Sequence, residues 1–283
     1  MVKRVLCFGL LILLLACTNV FAGGSGNPVE AVENQSPILD VGAVAFEYNL
    51  VPERMNELND SLVGPESVEI EDLSQVYGKI IWGRSADQIL WMPGGDYNLY
   101  AKVGACSYDV DFDDEGTPVR VDLETGPYFG VGANVLFPLK QLDDLWDECT
   151  INWGADIQAN FFFNDVDDVT RASTTTPSEG FFYGVDGETS AYLTCKYDIE
   201  KIQTSLIPYL GVYHSWIVIG ATEELEYQIG KIVYKSDMPA AFDILSFGML
   251  LGLDVNVAKY VTLNVEGRFI GETAITTGAT VKF

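Results

Sequence analysis

The stretch Cys149–Phe163, CTINWGADIQANFFF, repeats its chemistry every second residue. Ile151, Trp153, Ala155, Ile157, Ala159, Phe161 and Phe163 share one parity, and Asn152, Gly154, Asp156, Gln158 and Asn160 share the other. An extended chain turns successive side chains to opposite faces, whereas a helix would bring its apolar positions round every three or four residues. The run therefore predicts a strand of about ten residues or more with one apolar face. GPYFGVGANVLF (126–137) sets Phe129, Val131, Ala133, Val135 and Phe137 against Tyr128, Gly130, Gly132 and Asn134. YVTLNVEGRF (260–269) sets Val261, Leu263, Val265 and Phe269 against Thr262, Asn264, Glu266 and Arg268.

A soluble sandwich would bury these apolar faces, and a membrane barrel would turn them toward lipid, with small and charged residues inside. Three features favour the membrane. An export signal precedes the strands, aromatic residues gather near strand ends, and long acidic connections alternate with shorter turns. No uninterrupted run of about 20 apolar residues follows the signal, so a spanning helix is not expected. The longest candidate, SLIPYLGVYHSWIVIGA (205–221), is broken by Pro208 and His214 and reads as a strand.

Composition narrows the function classes. The 283 residues are 48% hydrophobic yet carry 41 acids against 16 Lys and Arg. Such a polyanion would be repelled by nucleic acid, and its apolar content is too high for a disordered chain. Lys3 and Arg4 precede an apolar run from Val5 to about Cys17, and Val20-Phe21-Ala22 suits signal peptidase, giving a mature chain from Gly23. Leu14-Leu15-Ala16-Cys17 offers an alternative, lipoprotein-type cut at Cys17. The expected organisation is a signal peptide at 1–22, a polar lead at 23–37 and one barrel domain at 38–283. Three cysteines remain in the mature chain, Cys106, Cys149 and Cys195. Their odd number and scatter suggest neither a disulfide scaffold nor, with His214 the only imidazole, a zinc site.

The fold class expected is all-β, a transmembrane antiparallel up-and-down barrel of about 10 strands, with 8 to 12 open. The strands fall near 38–51, 74–84, 96–110, 125–138, 149–164, 188–200, 206–220, 243–257, 260–270 and 273–283. Outer connections are expected at 52–73, 111–124, 165–187 and 221–242, with only Gly271-Glu272 short. EYQIGKIVY (226–234) is itself strand-like and leaves twelve strands, or strands continuing past the membrane, as alternatives.

The last hairpin is the most specific segment. KYVTLNVEGRF (259–269) and ITTGATVKF (275–283) resemble the closing hairpin of small bacterial outer-membrane β-barrel proteins, OmpA-like or porin-like, without a periplasmic domain. In that family a final aromatic residue is part of the signal read by the barrel-assembly machinery. The resemblance gives Phe283 that role, with Val281, Ala279 and Thr277 supplying the alternation, and implies outer-membrane lipids as surroundings. The closing strand would pair with the first one near Val41 to Leu50, leaving no sheet edge.

Candidate functional residues are those whose parity turns them inward: Glu47, Lys79, Lys102, Asp156, Lys196, Asp254, Glu266 and Arg268. In a barrel of eight to ten strands such charges either pair into a filled core or line a narrow aqueous path that favours cations beneath an acidic mouth. Pairing of Lys102, Lys196 and Arg268 with Asp156, Asp254 and Glu266 across the midplane would mark a plug. DVDFDDEG (109–116) makes Asp109, Asp111 and Asp113 weak candidates for divalent cations, but its spacing departs from an EF-hand, with Asp122 where a Glu is required. His214 lies on the apolar parity beside Trp216 and Ser215 on the other, so no Ser-His pair forms there. Tyr48, Trp153, Phe163, Tyr197, Trp216 and Phe269 read as an interfacial girdle. No enzyme and no cofactor are expected. The expected function is a porin-like channel for small solutes with a cation preference, and the alternative is a closed barrel working through its acidic outer loops.

Overall fold

The computed structural model describes residues 42–54, 68–85, 95–114, 116–139, 149–177, 180–221, 225–229, 232–236, 241–257 and 260–283. The expected export signal and polar lead, and much of the expected connections 52–73 and 221–242, lie outside these residues. The described chain is strand almost throughout: β1 (Ala43–Arg54), β2 (Val68–Ser85), β3 (Asp96–Asp114), β4 (Thr117–Leu123), β5 (Gly126–Pro138), β6 (Thr150–Arg171), β7 (Thr174–Pro177), β8 (Phe181–Ile199), β9 (Thr204–Ala221), β10 (Leu225–Ile229), β11 (Ile232–Ser236), β12 (Ala241–Val257), β13 (Val261–Phe269) and β14 (Thr273–Lys282). A single 3₁₀ turn at Glu200–Ile202 links β8 to β9.

Neighbouring strands pair antiparallel around a closed ring. β4 and β5 form one broken wall strand between β3 and β6, giving ten staves in all. β7 extends the outer end against β6, and β10 pairs with β11 as a separate hairpin. The ring shuts where β14 meets β1, with Ala43 opposite Lys282 and Leu50 opposite Ile275, and the Phe283 amide donates to the Gly42 carbonyl at 3.0 Å. Closure leaves no free edge there, as the alternation of the last strand requires.

The two faces sort as the parity dictates. Val103, Val131, Ile157, Leu193, Leu210 and Val212 point outward with half or more of their surface exposed. Between them the inward residues Lys102, Asn134, Asp156, Gln158 and Ser215 are buried. Exposed apolar side chains around a polar interior make this a transmembrane barrel, crossed by strands, with the fold of the outer-membrane class. Aromatic pairs mark its rims: Phe137 stacks on Trp153 at 4.8 Å, and Phe163 on Phe181 at 5.9 Å. The start of β1 and the end of β14 then lie together at the periplasmic end of the ring.

The strands do not stop at the membrane. β6 runs 22 residues, about 70 Å along its length, where a tilted strand needs only about ten residues to cross. The expected loops 111–124 and 165–187 are therefore largely strand, and β2 starts six residues before its expected beginning at 74. The reason is an inversion of chemistry across the same parity. Beyond the membrane the outward residues are acidic, such as Asp109, Asp111 and Asp122, and the inward ones are apolar: Val110, Phe112, Val119, Val121, Val166 and Val169. A sheet with a wet outer face and a dry inner face is stable in water, so the wall continues upward as soluble-type β-structure. Irregularities mark the change of regime, with Asp72 left-handed at φ 51° where the β2–β3 register shifts, and another shift where β4 meets β6.

The three cysteines do not all pair, as their odd number requires. Cys149 and Cys195 form a disulfide, Cα atoms 5.9 Å apart, tying the start of β6 to the end of β8 at the periplasmic rim, while Cys106 is free and buried.

Because Ile157 is 58% exposed at mid-band, Ile157→Arg should destabilise the barrel by about 2–4 kcal/mol in lipid. Denaturant unfolding in vesicles checks this, with the exposed rim variant Tyr260→Arg expected to cost well under half as much.

Candidate functional site

The lumen is layered from one end to the other. Its periplasmic third sets amides and hydroxyls among buried Ala43, Ile81, Leu136 and Ile207, with Asn98 donating to Asn134 at 2.9 Å, Asn152 to Thr194 at 3.2 Å and Thr262 to Asn256 at 2.5 Å. Its outer half is apolar, a continuous cluster that includes Val51, Leu73, Tyr108, Phe162, Phe182, Ile217 and Ile219. Charge is concentrated between them.

Several rings make this packing possible by lying over glycines. A Cβ on Gly132 would meet the Tyr100 ring at 2.3 Å, one on Gly154 the Tyr192 ring at 2.3 Å, and one on Gly252 the Tyr209 ring at 2.0 Å. The tyrosines therefore spread flat across the neighbouring strand, and their hydroxyls reach the acids: Tyr100 donates to Asp156 at 3.0 Å and Tyr209 to Glu266 at 3.0 Å.

The cations are divided among three arrangements. Lys79 pairs with Glu47 at 2.6 Å, both buried, and its ammonium sits 4.8 Å from the Tyr100 ring. Lys102 donates to the Gln158 side-chain carbonyl and lies 4.7 Å over the Tyr77 ring. Arg268 is the hub: its guanidinium meets Glu188 at 2.6 Å, Glu272 at 2.6 Å and Glu266 at 3.3 Å, over the Tyr213 ring at 5.0 Å. A planar fork with five donors can serve three carboxylates at once, which a lysine could not.

The turn between β13 and β14 builds this hub. Ile270 and Gly271 both have positive φ, 68° and 92°. The Tyr213 hydroxyl accepts from the Glu272 amide at 3.1 Å and donates to the Ile270 carbonyl at 3.1 Å. The tightened turn swings Glu272 inward, so the residue expected in a short outer turn is 5% exposed inside the barrel.

Seven of the eight expected lumen residues, Glu47, Lys79, Lys102, Asp156, Asp254, Glu266 and Arg268, are buried inside. Lys196 is not among them; it stands part-exposed near the periplasmic rim, 3.9 Å from Asp198. Of the pairings looked for, Arg268 takes Glu266, but from two residues back on its own strand and not across the lumen, while Asp254 accepts from Asn264 and Asp156 from Tyr100. Glu188, Glu272 and the lumen tyrosines other than Tyr128 escaped the sequence reading, which placed Gln158 and Tyr128 on the polar parity without naming them as candidates. Glu188 shares its parity with Ser190, Tyr192 and Thr194, which was the available signal.

A second charged cluster stands on the outer wall, above the membrane. Arg120 reaches Glu71 at 2.7 Å, Asp122 at 3.1 Å, Asp111 at 3.4 Å and Asp72 at 3.8 Å, and also binds Asp109. Asp109 and Asp111, read as weak divalent-cation candidates, thus surround an arginine; the Asp113 side chain lies outside the described residues. Partial burial lifts both carboxyls above the usual aspartate range, and Arg120 pulls them back. Burial also works against the guanidinium charge, but hydrogen bonds to Glu71, Asp109 and Asp122 outweigh it and raise its pKa. Among the described residues no group of three or more His, Cys, Asp or Glu side chains is arranged to hold a metal.

His214 and Ser215 face opposite sides, with the His214 ring 4.7 Å from Phe247 and Ser215 buried in the lumen.

No family model matches the chain, and no curated protein matches it. Among solved structures it is similar to the outer-membrane protease OmpT of Escherichia coli, at 11% identity and TM-score 0.45 over 86% of this chain and 94% of that one. The β domain of the Bordetella autotransporter BrkA aligns at 11% identity and TM-score 0.40 over 86% and 100%. The transport unit of the Escherichia coli autotransporter AIDA-I aligns at 12% identity and TM-score 0.36 over 89% and 92%. No residue role passes from these proteins to this chain.

Arg268→Ala leaves three buried carboxylates without their counter-charge and should destabilise the barrel by about 3–5 kcal/mol, read by denaturant unfolding. Arg120→Ala should cost about 1–2 kcal/mol, since its partners are part-exposed and screened. The sign with pH follows from the raised Asp109 and Asp111 carboxyls. Ionising them costs the folded state, so their contribution worsens as pH rises from the unfolded aspartate range through their elevated folded values. Without Arg120 that worsening steepens, and the variant's loss should be larger at pH 7 than at pH 4, measured by hydrogen exchange of residues 109–122.

Proposed function

We propose that the protein is a closed outer-membrane barrel that acts without enzymatic chemistry through its outer wall, and not as a porin-like channel. The observation that carries this reading is the filled lumen: an apolar cluster across its outer half, above a layer in which each buried cation already has a protein partner. Moving a hydrated ion through that largely apolar layer would cost it its water with few dipoles to replace it. The wall above the membrane presents Glu71, Asp72, Asp109, Asp111 and Asp122 outward around the one guanidinium of Arg120, a negative surface suited to cationic partners or to divalent ions bridging it to lipid phosphates. A cleaved signal peptide would export the chain, and Phe283 would be read by the barrel-assembly machinery.

The acid excess of the charged layer gives the channel reading its one support, since an open path there would favour cations. Planar-bilayer recording of the refolded mature protein separates the two. Insertion without conductance steps is the expected result. Steady cation-selective steps, weakened by Asp156→Asn, would overturn closure.

A further inference from the structure

A cavity of about 40 Å³ opens within the charged layer, and side chains of both signs line it: Lys102, Arg268, Asp186, Glu188 and Glu272. Three of these are occupied with one another or with neighbours. Arg268 serves Glu188, Glu266 and Glu272, and Asp186 accepts from Asn160. The other two keep capacity in reserve. Lys102, 4% exposed, has three N–H donors, and among the described residues it meets one hydrogen-bond acceptor, the Gln158 side-chain carbonyl; the faces of Tyr77 and Tyr100 complete its surroundings. Glu188, 5% exposed, gives its Oε2 to Arg268 and Gln158 and leaves Oε1 without a hydrogen bond. A buried ammonium and a buried carboxylate oxygen short of partners are both costly.

Gln158 joins the two. Its carbonyl accepts from Lys102 and its amide nitrogen donates to Glu188 at 3.3 Å, so the ammonium and the carboxylate stand one amide group apart. The cavity holds about three waters at about one per 10–15 Å³, a space of the order of a glycine or alanine molecule and too small for a branched side chain. Its outer end lies where the wall is low. The lining residues Val51 and Leu73 pair with each other beside Glu53, the partner of Thr273, while Glu272 closes the β13–β14 turn. There β13 stops at Phe269, opposite Met249, and β12 runs on eight residues past Met249 to Ala241.

We propose that this cavity binds the zwitterion of a small α-amino acid, its carboxylate on the Lys102 ammonium and its ammonium on the Glu188 carboxylate. The two ends of such a molecule are separated by two carbons, close to the one-carbon bridge that Gln158 already makes between the same side chains. Both new bonds are charge-assisted, and the ligand gives Lys102 a counter-charge that its amide and two rings do not. The mixed lining selects this class. A lone anion would meet Asp186, Glu188 and Glu272, and a lone cation would meet Lys102 and Arg268, whereas a zwitterion adds no net charge and turns each end toward its opposite. Entry is from the outer side, beside the β13–β14 turn. The inference goes beyond closure of the lumen, and binding is measured independently of conductance.

The test is calorimetric titration of glycine and alanine into the mature protein refolded in detergent micelles, with thermal unfolding followed in parallel. One site is expected for each, with a ligand-dependent rise in Tm. Acetate and methylammonium, which carry one end of the ligand each, should bind at least tenfold more weakly, and leucine should not compete. Lys102→Gln and Glu188→Gln should each weaken glycine binding at least tenfold; if neither variant refolds, the half-ligand and size series on the unmodified protein decides. Three results would overturn the proposal. Absence of any glycine or alanine site means that water fills the cavity. Acetate binding as tightly as glycine means that only the Lys102 charge is read, and glycine binding unchanged in both variants means that the ligand sits elsewhere.

Discussion

A ten-stave barrel has too little interior to leave a charge in bulk water, and this constraint shapes the molecule. Every inward side chain must meet another inward side chain, a ring or a backbone group. Arg268 shows how far the constraint reaches. Its three carboxylates come from β8, from its own strand and from the far side of a turn, so the guanidinium can be satisfied only when β13 and β14 are already paired and their turn is clamped by Tyr213 from β9. The same tyrosine sits beneath the guanidinium plane. Local turn geometry and lumen electrostatics are therefore one arrangement, assembled from strands β8, β9, β13 and β14 along one continuous arc of the wall.

The glycines and tyrosines extend that logic through the wall. A ring lying on a glycine of the adjacent strand covers backbone that no side chain covers, and its hydroxyl is carried inward to an acid. The lumen is thereby filled by broad, stiff side chains with a polar tip, which lose little rotamer freedom on ordering. Lysines over those same rings gain attraction without a second carboxylate, which accounts for Lys102 being held by an amide and two aromatic faces.

Much of the fold was legible because the membrane imposes a strict period. The parity split of 149–163 places Asp156 inside and Ile157 outside, and the split of the last strand gives its closure on β1. What failed was the assumption that acid means loop. In DVDFDD the acids are the outward half of an alternation whose inward half is Val110 and Phe112, so the pattern was present with its polarity reversed. Glu272 was hidden for a different reason: a two-residue turn carries no parity, and only the positive φ of Ile270 and Gly271 turns its carboxylate inward. Partners such as Glu188 for Arg268 join strands 80 residues apart in sequence, and alternation says which face a residue takes but not which neighbour it meets.

The reversal of polarity along the wall also bears on where function can reside. Inside the membrane zone the charged side chains are buried, beneath an apolar cluster on the outer side. Outside it the same strands, continuous with the barrel, carry acids on rigid β-structure and not on a mobile tip. A carboxylate fixed on a strand keeps its spacing to the next one two residues on, as Asp109 and Asp111 do, and cross-strand pairing brings Asp122 opposite Asp109. Repulsion among them is offset by Arg120 from the intervening register position, which pairs with Asp111. The outer wall is in this way a pre-organised negative surface, held apart by the sheet and held together by one cation, and any partner it recognises meets a pattern already in place.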